Sequence, residues 1–248
     1  MTAIFIQARM SSSRLPGKVL LDLSGKPVLR WVVDRCLKAR FGAQVVVLTS
    51  TERDDDVIAS YCKSEGIDCF RGPLEDVLER FYLAAEYYNV TNFVRITADC
   101  PFVEPTIIDT VIVNGISNKH DYTGLTGNFP DGLDCTFFSR KAVTWAHHKA
   151  NKSYQREHIG QYIEENINDF SCGGVTIFDD DFGLRLTLDE QEDYIFLQRI
   201  VKSLNTHIFS VTDILELHRN EPSLSKINSK IIRNEGLIKS KEAYDADW

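Results

Sequence analysis

No two of the six cysteines (Cys36, Cys62, Cys69, Cys100, Cys135, Cys172) stand in a CxxC pair or in the spacing of a metal finger. Most lie in apolar runs and read as small buried hydrophobes in a reducing compartment. Long apolar runs are missing too. The N-terminus offers only Ala3 to Ile6 before Arg9, too short for a signal-peptide core or a spanning helix, so no membrane partner and a cytoplasmic location are expected. Positive charge is not in excess: 28 Lys and Arg against 36 Asp and Glu leave a net charge of −8, which argues against a nucleic-acid surface over the whole chain. No repeat, low-complexity tract or linker divides the 248 residues. One large core is expected, with residues 1–210 carrying the chemistry and 211–248 a helical extension and tail of the same domain.

What is present alternates. Thr2 to Gln7 reads as a buried first strand. Pro27 stands at a first helical position, followed by an apolar stripe at Leu29, Val32, Val33, Cys36 and Leu37. Gln44 to Leu48 is a near-continuous apolar run, as a parallel strand covered on both faces requires. A helix over Asp54 to Glu65 closed by Gly66, a short strand over Ile67 to Phe70, a helical stripe from Val77 to Tyr88 and a strand over Phe93 to Thr97 continue the order. Such βαβ succession implies an α/β fold, one domain with a mostly parallel central sheet flanked by helices. Further on, strands are expected over Asp121 to Leu125, Leu133 to Phe138, Gly174 to Phe178 and Leu184 to Leu188. Helices are expected over Ala142 to Lys149, Tyr154 to Glu165 and Glu190 to Val201. One amphipathic segment follows Ser210, and the last ten residues are expected to fray.

Two stretches lie where open parallel sheets bind ligands, outside the carboxyl ends of strands. The first is Gln7-Ala8-Arg9-Met10-Ser11-Ser12-Ser13-Arg14-Leu15-Pro16-Gly17-Lys18. Its backbone N–H groups, hydroxyls and three cations are the inventory that holds a triphosphate. It lacks the glycine spacing and following Ser/Thr of a Walker A loop and is not GxGxxG; an ordinary solvated basic loop is the other reading. The second is Asp99, past the strand ending at Thr97 and beside a proline turn. A carboxylate there can hold a divalent cation against phosphates or simply cap a turn. Asp189 has the same two readings, as a second metal carboxylate or as the N-cap of the helix after it, with Glu192 three residues on.

ARMSSSRLPGK, FRGPLEDVLERF, RITADCPFVEP, FPDGLD, REHI and LRLTLDEQED, in this order, resemble the cytidylyltransferase family over residues 3 to about 203. The branch resembled is that of the spore-coat polysaccharide biosynthesis protein F, related to the CMP-sugar-acid synthetases and sharing a GT-A-like, Rossmann-like nucleotidyltransferase fold. The resemblance implies CTP and a small sugar acceptor as partners, Mg²⁺ as cofactor and a possible homodimer. It implies that Gln7, Ala8, Arg9, Ser12, Ser13, Arg14, Lys18 and Thr97 grip the nucleotide, with Arg71 and Asp76 near its base or ribose. Arg14, Lys18 and Asp99 would be catalytic, and Asp99 and Asp189 would hold the metal. Asp131, Asp134, Arg156, Glu157, His158 and Arg185 would face the acceptor. The chain departs from the family at Ser11 and Ala98, where glycine is usual, and at Glu190-Gln191, where Thr-Pro is usual. Two other classes stay open on the residues alone. One is a glycosyltransferase, which a DxD motif would favour and which Ala98-Asp99-Cys100-Pro101 does not supply; the other is a catalytically idle nucleotide-binding protein.

Overall fold

The computed structural model describes residues 1–178 and 183–246. Among these, seven strands form one sheet in the order β3-β2-β1-β4-β6-β5-β7. They are β1 (Thr2–Gln7), β2 (Gln44–Ser50), β3 (Asp68–Gly72), β4 (Asn92–Thr97), β5 (Tyr122–Leu125), β6 (Thr136–Ser139) and β7 (Cys172–Val175). β1 pairs parallel with β2 and β4, and β2 with β3; β6 runs antiparallel to β4 and β5, and β7 is parallel to β5. The expected mostly parallel α/β sheet is therefore present.

β1 is central because its side chains are apolar on both faces. Ile4 and Ile6 join one core, Ala3 and Phe5 the other, and all four are fully buried. The Ile4 face is covered by α1 (Val28–Cys36), α2 (Asp56–Ser64), and, later in the chain, the long helices that follow β4 and Asp189. The Phe5 face is covered by α3 (Val77–Tyr87) and the helix after β6. Phe5, Phe81 and Phe93 pack there with ring centroids 5.0–6.1 Å apart.

Several elements differ from expectation, each for a local reason. α4 (Pro105–Ser117) was not expected at all, since its β-branched sequence shows no clean helical stripe, yet Pro105 opens it and Ile107, Ile108, Val111 and Ile112 are buried. α5 (Arg140–Lys149) agrees. The single helix over Tyr154 to Glu165 is instead α6 (Ser153–Glu157) and α7 (Gln161–Glu165), broken at His158, whose φ and ψ of −112° and 92° leave the helical region. The strand expected over Gly174 to Phe178 is two residues earlier, as β7. Leu184 to Leu188 forms only one bridge, Arg185 to Asp131. α8 (Gln191–Leu204) and α9 (Val211–Asn220) follow, with Val211, Ile214 and Leu215 in the same core as β1. In the tail, where fraying was expected, Glu235–Ala246 is α10, while Asp247 and Trp248 lie outside the described residues.

Gly132 is required where it stands. Its φ is +94°, and a Cβ there would lie 2.5 Å from the Thr187 nitrogen and 2.6 Å from the Leu186 carbonyl carbon. The close approach lets the Leu186 N–H donate to the Asp131 carbonyl (2.6 Å). Gly132→Ala is expected to destabilise the protein by about 1–3 kcal/mol, read by denaturant unfolding, from backbone strain at this contact.

Candidate active site

The loop after β1 is shaped before any ligand arrives. The buried Asp55 carboxylate accepts from the Met10 N–H (2.7 Å), the Ser50 N–H (3.0 Å) and the Ser50 hydroxyl (2.5 Å), tying the loop to the end of β2. Those donors outweigh burial and hold its pKa below the usual carboxylate range. Gly17, at φ +71°, closes the loop by donating to the Met10 carbonyl (3.0 Å), so that Lys18 turns inward and Val19 anchors in the core.

At the opposite wall, the Leu188 N–H donates to the Asp99 carbonyl (2.8 Å). This single backbone bond sets Asp189 beside Asp99, although 90 positions separate them in the chain. The Asp189 N-cap expectation is corrected: Glu190 caps α8, and it is Asp193 that accepts the Asp189 and Glu190 N–H groups, at 2.9 and 3.0 Å. The Asp189 carboxylate is thereby left for the site.

Lys18 joins the two walls. Its Nζ lies 2.5 Å from Asp99 Oδ2 and 2.7 Å from Asp189 Oδ1. Burial pulls the Lys18 pKa down, but the two carboxylates more than reverse this and leave it raised. Burial likewise pushes Asp99 up, and the Lys18 charge overrides it, bringing Asp99 to about 2. Asp189 also meets Arg14 at 3.0 Å and Arg185 at 2.6 Å. Arg185 in turn holds Asp131 at 2.5 Å and the fully buried Asp193 at 3.0 Å, so it positions carboxylates from two loops.

These groups border a cavity of about 740 Å³ over the carboxyl ends of β1 and β4. Gln7, Arg9, Ser12, Ser13, Arg14, Lys18, Thr97, Asp99, Asp131, Asp134, Glu157, His158, Arg185 and Asp189 all line it. Four expected residues do not. Ala8 is buried, and its N–H donates to the Leu48 carbonyl (2.9 Å). Arg71 is spent on the Ser50 and Glu52 carbonyls and on Asp56. Asp76 caps α3 through the Glu79 N–H (2.9 Å) and pairs with Arg156 at 2.5 Å. Arg156 is thus committed to joining α3 and α6 and does not line the cavity.

Other lining residues were not anticipated. Arg95 projects from the middle of β4, Tyr122 donates from β5 to Glu164 (2.6 Å), and α10 closes one side. From this last segment Arg233 contacts Asp134 (3.0 Å) and Asp131 (3.7 Å), Glu235 contacts Arg14 (2.7 Å), and Ser240 donates to Glu157 (2.8 Å) while lying 3.2 Å from His158 Nε2. Burial lowers the His158 pKa, and the nearby Arg95 and Arg9 lower it further against the pull of Glu157. Its ring is therefore neutral at pH 7.

The donor set is of hard oxygens. Among the described residues, no three His, Cys, Asp or Glu side chains form a metal cage, but two carboxylates converge on one cation. That suits an ion which takes one or two carboxylates and fills its shell with phosphate oxygens, as magnesium does. No helix of the described residues is long and apolar enough to cross a membrane.

A basic loop, paired acids and an open parallel sheet define a nucleotide-handling α/β enzyme. The comparisons narrow this: the cytidylyltransferase family profile matches residues 3–231, and the chain belongs to that family as a CTP-dependent nucleotidyltransferase. The spore coat polysaccharide biosynthesis protein SpsF of Bacillus subtilis is 32% identical over 197 residues, covering 76% of this chain and 81% of that protein. A 3-deoxy-manno-octulosonate cytidylyltransferase of Tolumonas auensis is 36% identical over 120 residues, 45% of this chain and 44% of its own length. The structure of a cytidylyltransferase from Leptospira borgpetersenii superposes with a TM-score of 0.87 at 32% identity, covering 94% of this chain and 99% of that one.

Glu235 competes with any phosphate for Arg14. Glu235→Gln is expected to lower the KM for CTP by about two- to fivefold, the modest effect of releasing one half-buried surface ion pair, as measured by initial rates at saturating acceptor.

Proposed function

We propose that this chain transfers CMP from CTP to a sugar, either a sugar acid or a sugar phosphate, releases pyrophosphate, and so makes a precursor of surface polysaccharide or another glycan. The observation that supports this most is the meeting of Asp99 and Asp189 on the Lys18 ammonium at the carboxyl ends of the sheet. The relatives' names, one for spore coat polysaccharide and one for 3-deoxy-manno-octulosonate, support a sugar as the acceptor.

In this reading an acceptor oxygen attacks the α-phosphorus of CTP as the bond to the leaving pyrophosphate breaks. The protein's share is positioning and charge stabilisation. Arg9, Arg14 and Lys18 meet the negative charge of the triphosphate, and Ser12 and Ser13 lie along it. Arg185 holds Asp189 and Asp131 in place. Neutral His158 is suited to accept a proton from an acceptor hydroxyl. Asp99 and Asp189 would hold Mg²⁺, which when bound neutralises charge on the phosphate oxygens.

Lys18→Ala and Asp99→Asn are each expected to slow pyrophosphate release from CTP by about 10²–10³ with unchanged far-UV circular dichroism. Chelation of divalent metal should stop wild-type turnover. Formation of a nucleoside diphosphate in place of pyrophosphate would instead mark a glycosyltransferase.

A further inference from the structure

The C-terminal segment is held in two different ways along its length. At its start it belongs to the core: Leu224 is buried, and the buried Asn228 side chain donates to the Arg185 carbonyl at 3.0 Å and to Asp193 Oδ1 at 2.9 Å. Beyond Asn228 no residue up to Ala246 is buried, and α10 buries none of its side chains. The helix therefore lacks a buried apolar stripe, and twelve residues without one are marginally helical in water.

Its anchors are polar and fall on the cavity. Arg233, just before the helix, donates to the Phe129 carbonyl at 3.1 Å, pairs with Asp134 at 3.0 Å and lies over the Phe129 ring, 4.2 Å from its centroid. Glu235, in the first turn, pairs with Arg14 at 2.7 Å. Ser240 reaches Glu157 at 2.8 Å and His158 Nε2 at 3.2 Å. Phe129, Asp134, Arg14, Glu157 and His158 all line the cavity. Tyr244 adds an edge-on contact with Tyr154, 5.4 Å between centroids. Surface anchors of this kind shift an equilibrium only about two- to fivefold each.

Glu235 stands where a phosphate would. Arg14 belongs to the loop whose N–H groups, hydroxyls and cations suit a triphosphate, yet three carboxylates already surround it: Asp189 at 3.0 Å, Glu190 at 3.4 Å and Glu235 at 2.7 Å. Asp189 and Glu190 are fixed from behind, because their backbone N–H groups are tied to Asp193. Glu235 has behind it an unburied helix and, one turn on, Lys239 at 2.6 Å. A phosphate oxygen at the same Arg14 nitrogen would set like charges side by side. Of the three carboxylates, Glu235 is the one least held against that repulsion.

We propose that α10 is an autoinhibitory arm: in the free protein Glu235 holds Arg14 in place of a phosphate, and a bound triphosphate displaces it and releases the helix from the cavity. One displacement also uncovers Glu157 and His158, since the same helix carries Ser240. The inference rests on the reading of the cavity as a CTP site and goes beyond it: occupancy becomes a competition between the nucleotide and the chain's own C-terminal segment. Linkage then works in both directions, so that whatever loosens α10 tightens nucleotide binding, wherever on the helix it acts.

The test is amide hydrogen exchange of the full chain, free and at saturating Mg²⁺-CTP, with saturation established by calorimetry. Residues 235–246 should exchange about tenfold faster when Mg²⁺-CTP is bound, the combined loss of the Glu235 and Ser240 anchors, while β1 and β4 exchange no faster than before. Ser240→Ala lies more than a turn from Glu235 and removes the contacts with Glu157 and His158. It should speed exchange of α10 in the free protein and lower the Kd for Mg²⁺-CTP by about two- to fivefold. Glu235→Gln should do both as well. The proposal is overturned if saturating Mg²⁺-CTP leaves exchange of α10 unchanged, as for a fixed wall or a simple rotation of the Glu235 side chain, or slows it, as for a closing lid. It is equally overturned if Ser240→Ala leaves the affinity for Mg²⁺-CTP unchanged or weakens it. Absence of any Mg²⁺-CTP binding in the calorimeter would remove the nucleotide reading itself, and the inference with it.

Discussion

Three charged groups from distant parts of the chain, Asp99, Lys18 and Asp189, meet within hydrogen-bond distance, and the rest of the architecture is arranged so that they can. Two carboxylates brought this close would repel and draw protons unless a cation stood between them. Lys18 supplies that cation, at 9% side-chain exposure, and keeps Asp99 ionised. The trio requires a loop that turns one way after β1 and a backbone bond between two segments that are remote in sequence. Both are present, in Gly17 and in the Leu188 N–H to Asp99 carbonyl contact.

Around this centre the chain separates two tasks. Asp55, Asp193 and Arg185 hold backbone and carboxylates in place. The serines of the loop, Arg9, Arg14, Lys18, Asp99, Asp189, Arg95 and His158 instead face the cavity. The break between α6 and α7 belongs to the second group, because it takes His158 off a helix and sets it against Ser240 of the tail. Residues 232–246 lie beyond the family match and yet contribute Arg233 and Glu235 to the wall, with Ser240 bonded to Glu157 beside it.

Much of the fold was legible because its central strands are apolar on both faces and its turns are punctuated by glycine and proline. β1, β2, β4 and the two ligand-facing loops follow from that alone. α4 was not legible, since a run of isoleucine and valine suits either strand or buried helix until its length and its proline are weighed. The helix before His158 read as continuous because residues 154–165 carry no glycine until Gly160 and no proline. Among site residues, the basic loop and Asp99 were recognisable by their place after strands, and Asp189 by its place after an apolar run that forms only one bridge. Arg71, Asp76 and Arg156 have the same chemistry as binding residues, and only their three-dimensional partners reveal that they tie helices together. Arg95 escaped for the opposite reason: one charged residue within a strand such as FVRIT reads as the solvent side of an alternation, whereas here it lines the cavity. Asp189 was ambiguous because four consecutive polar residues can each cap a helix, and a shift of one position decides which carboxylate remains available.

The central claim is that Asp99 and Asp189 act together as one divalent-cation site completed by the triphosphate. It is tested most directly by calorimetric titration of Mg²⁺ into wild type, Asp99→Asn and Asp189→Asn, with and without CTP. One ion per chain is expected, bound tightly only when CTP is present, with either substitution weakening it by at least about tenfold. Equal binding with and without CTP, or a Mg²⁺ affinity that survives loss of either carboxylate, would contradict it.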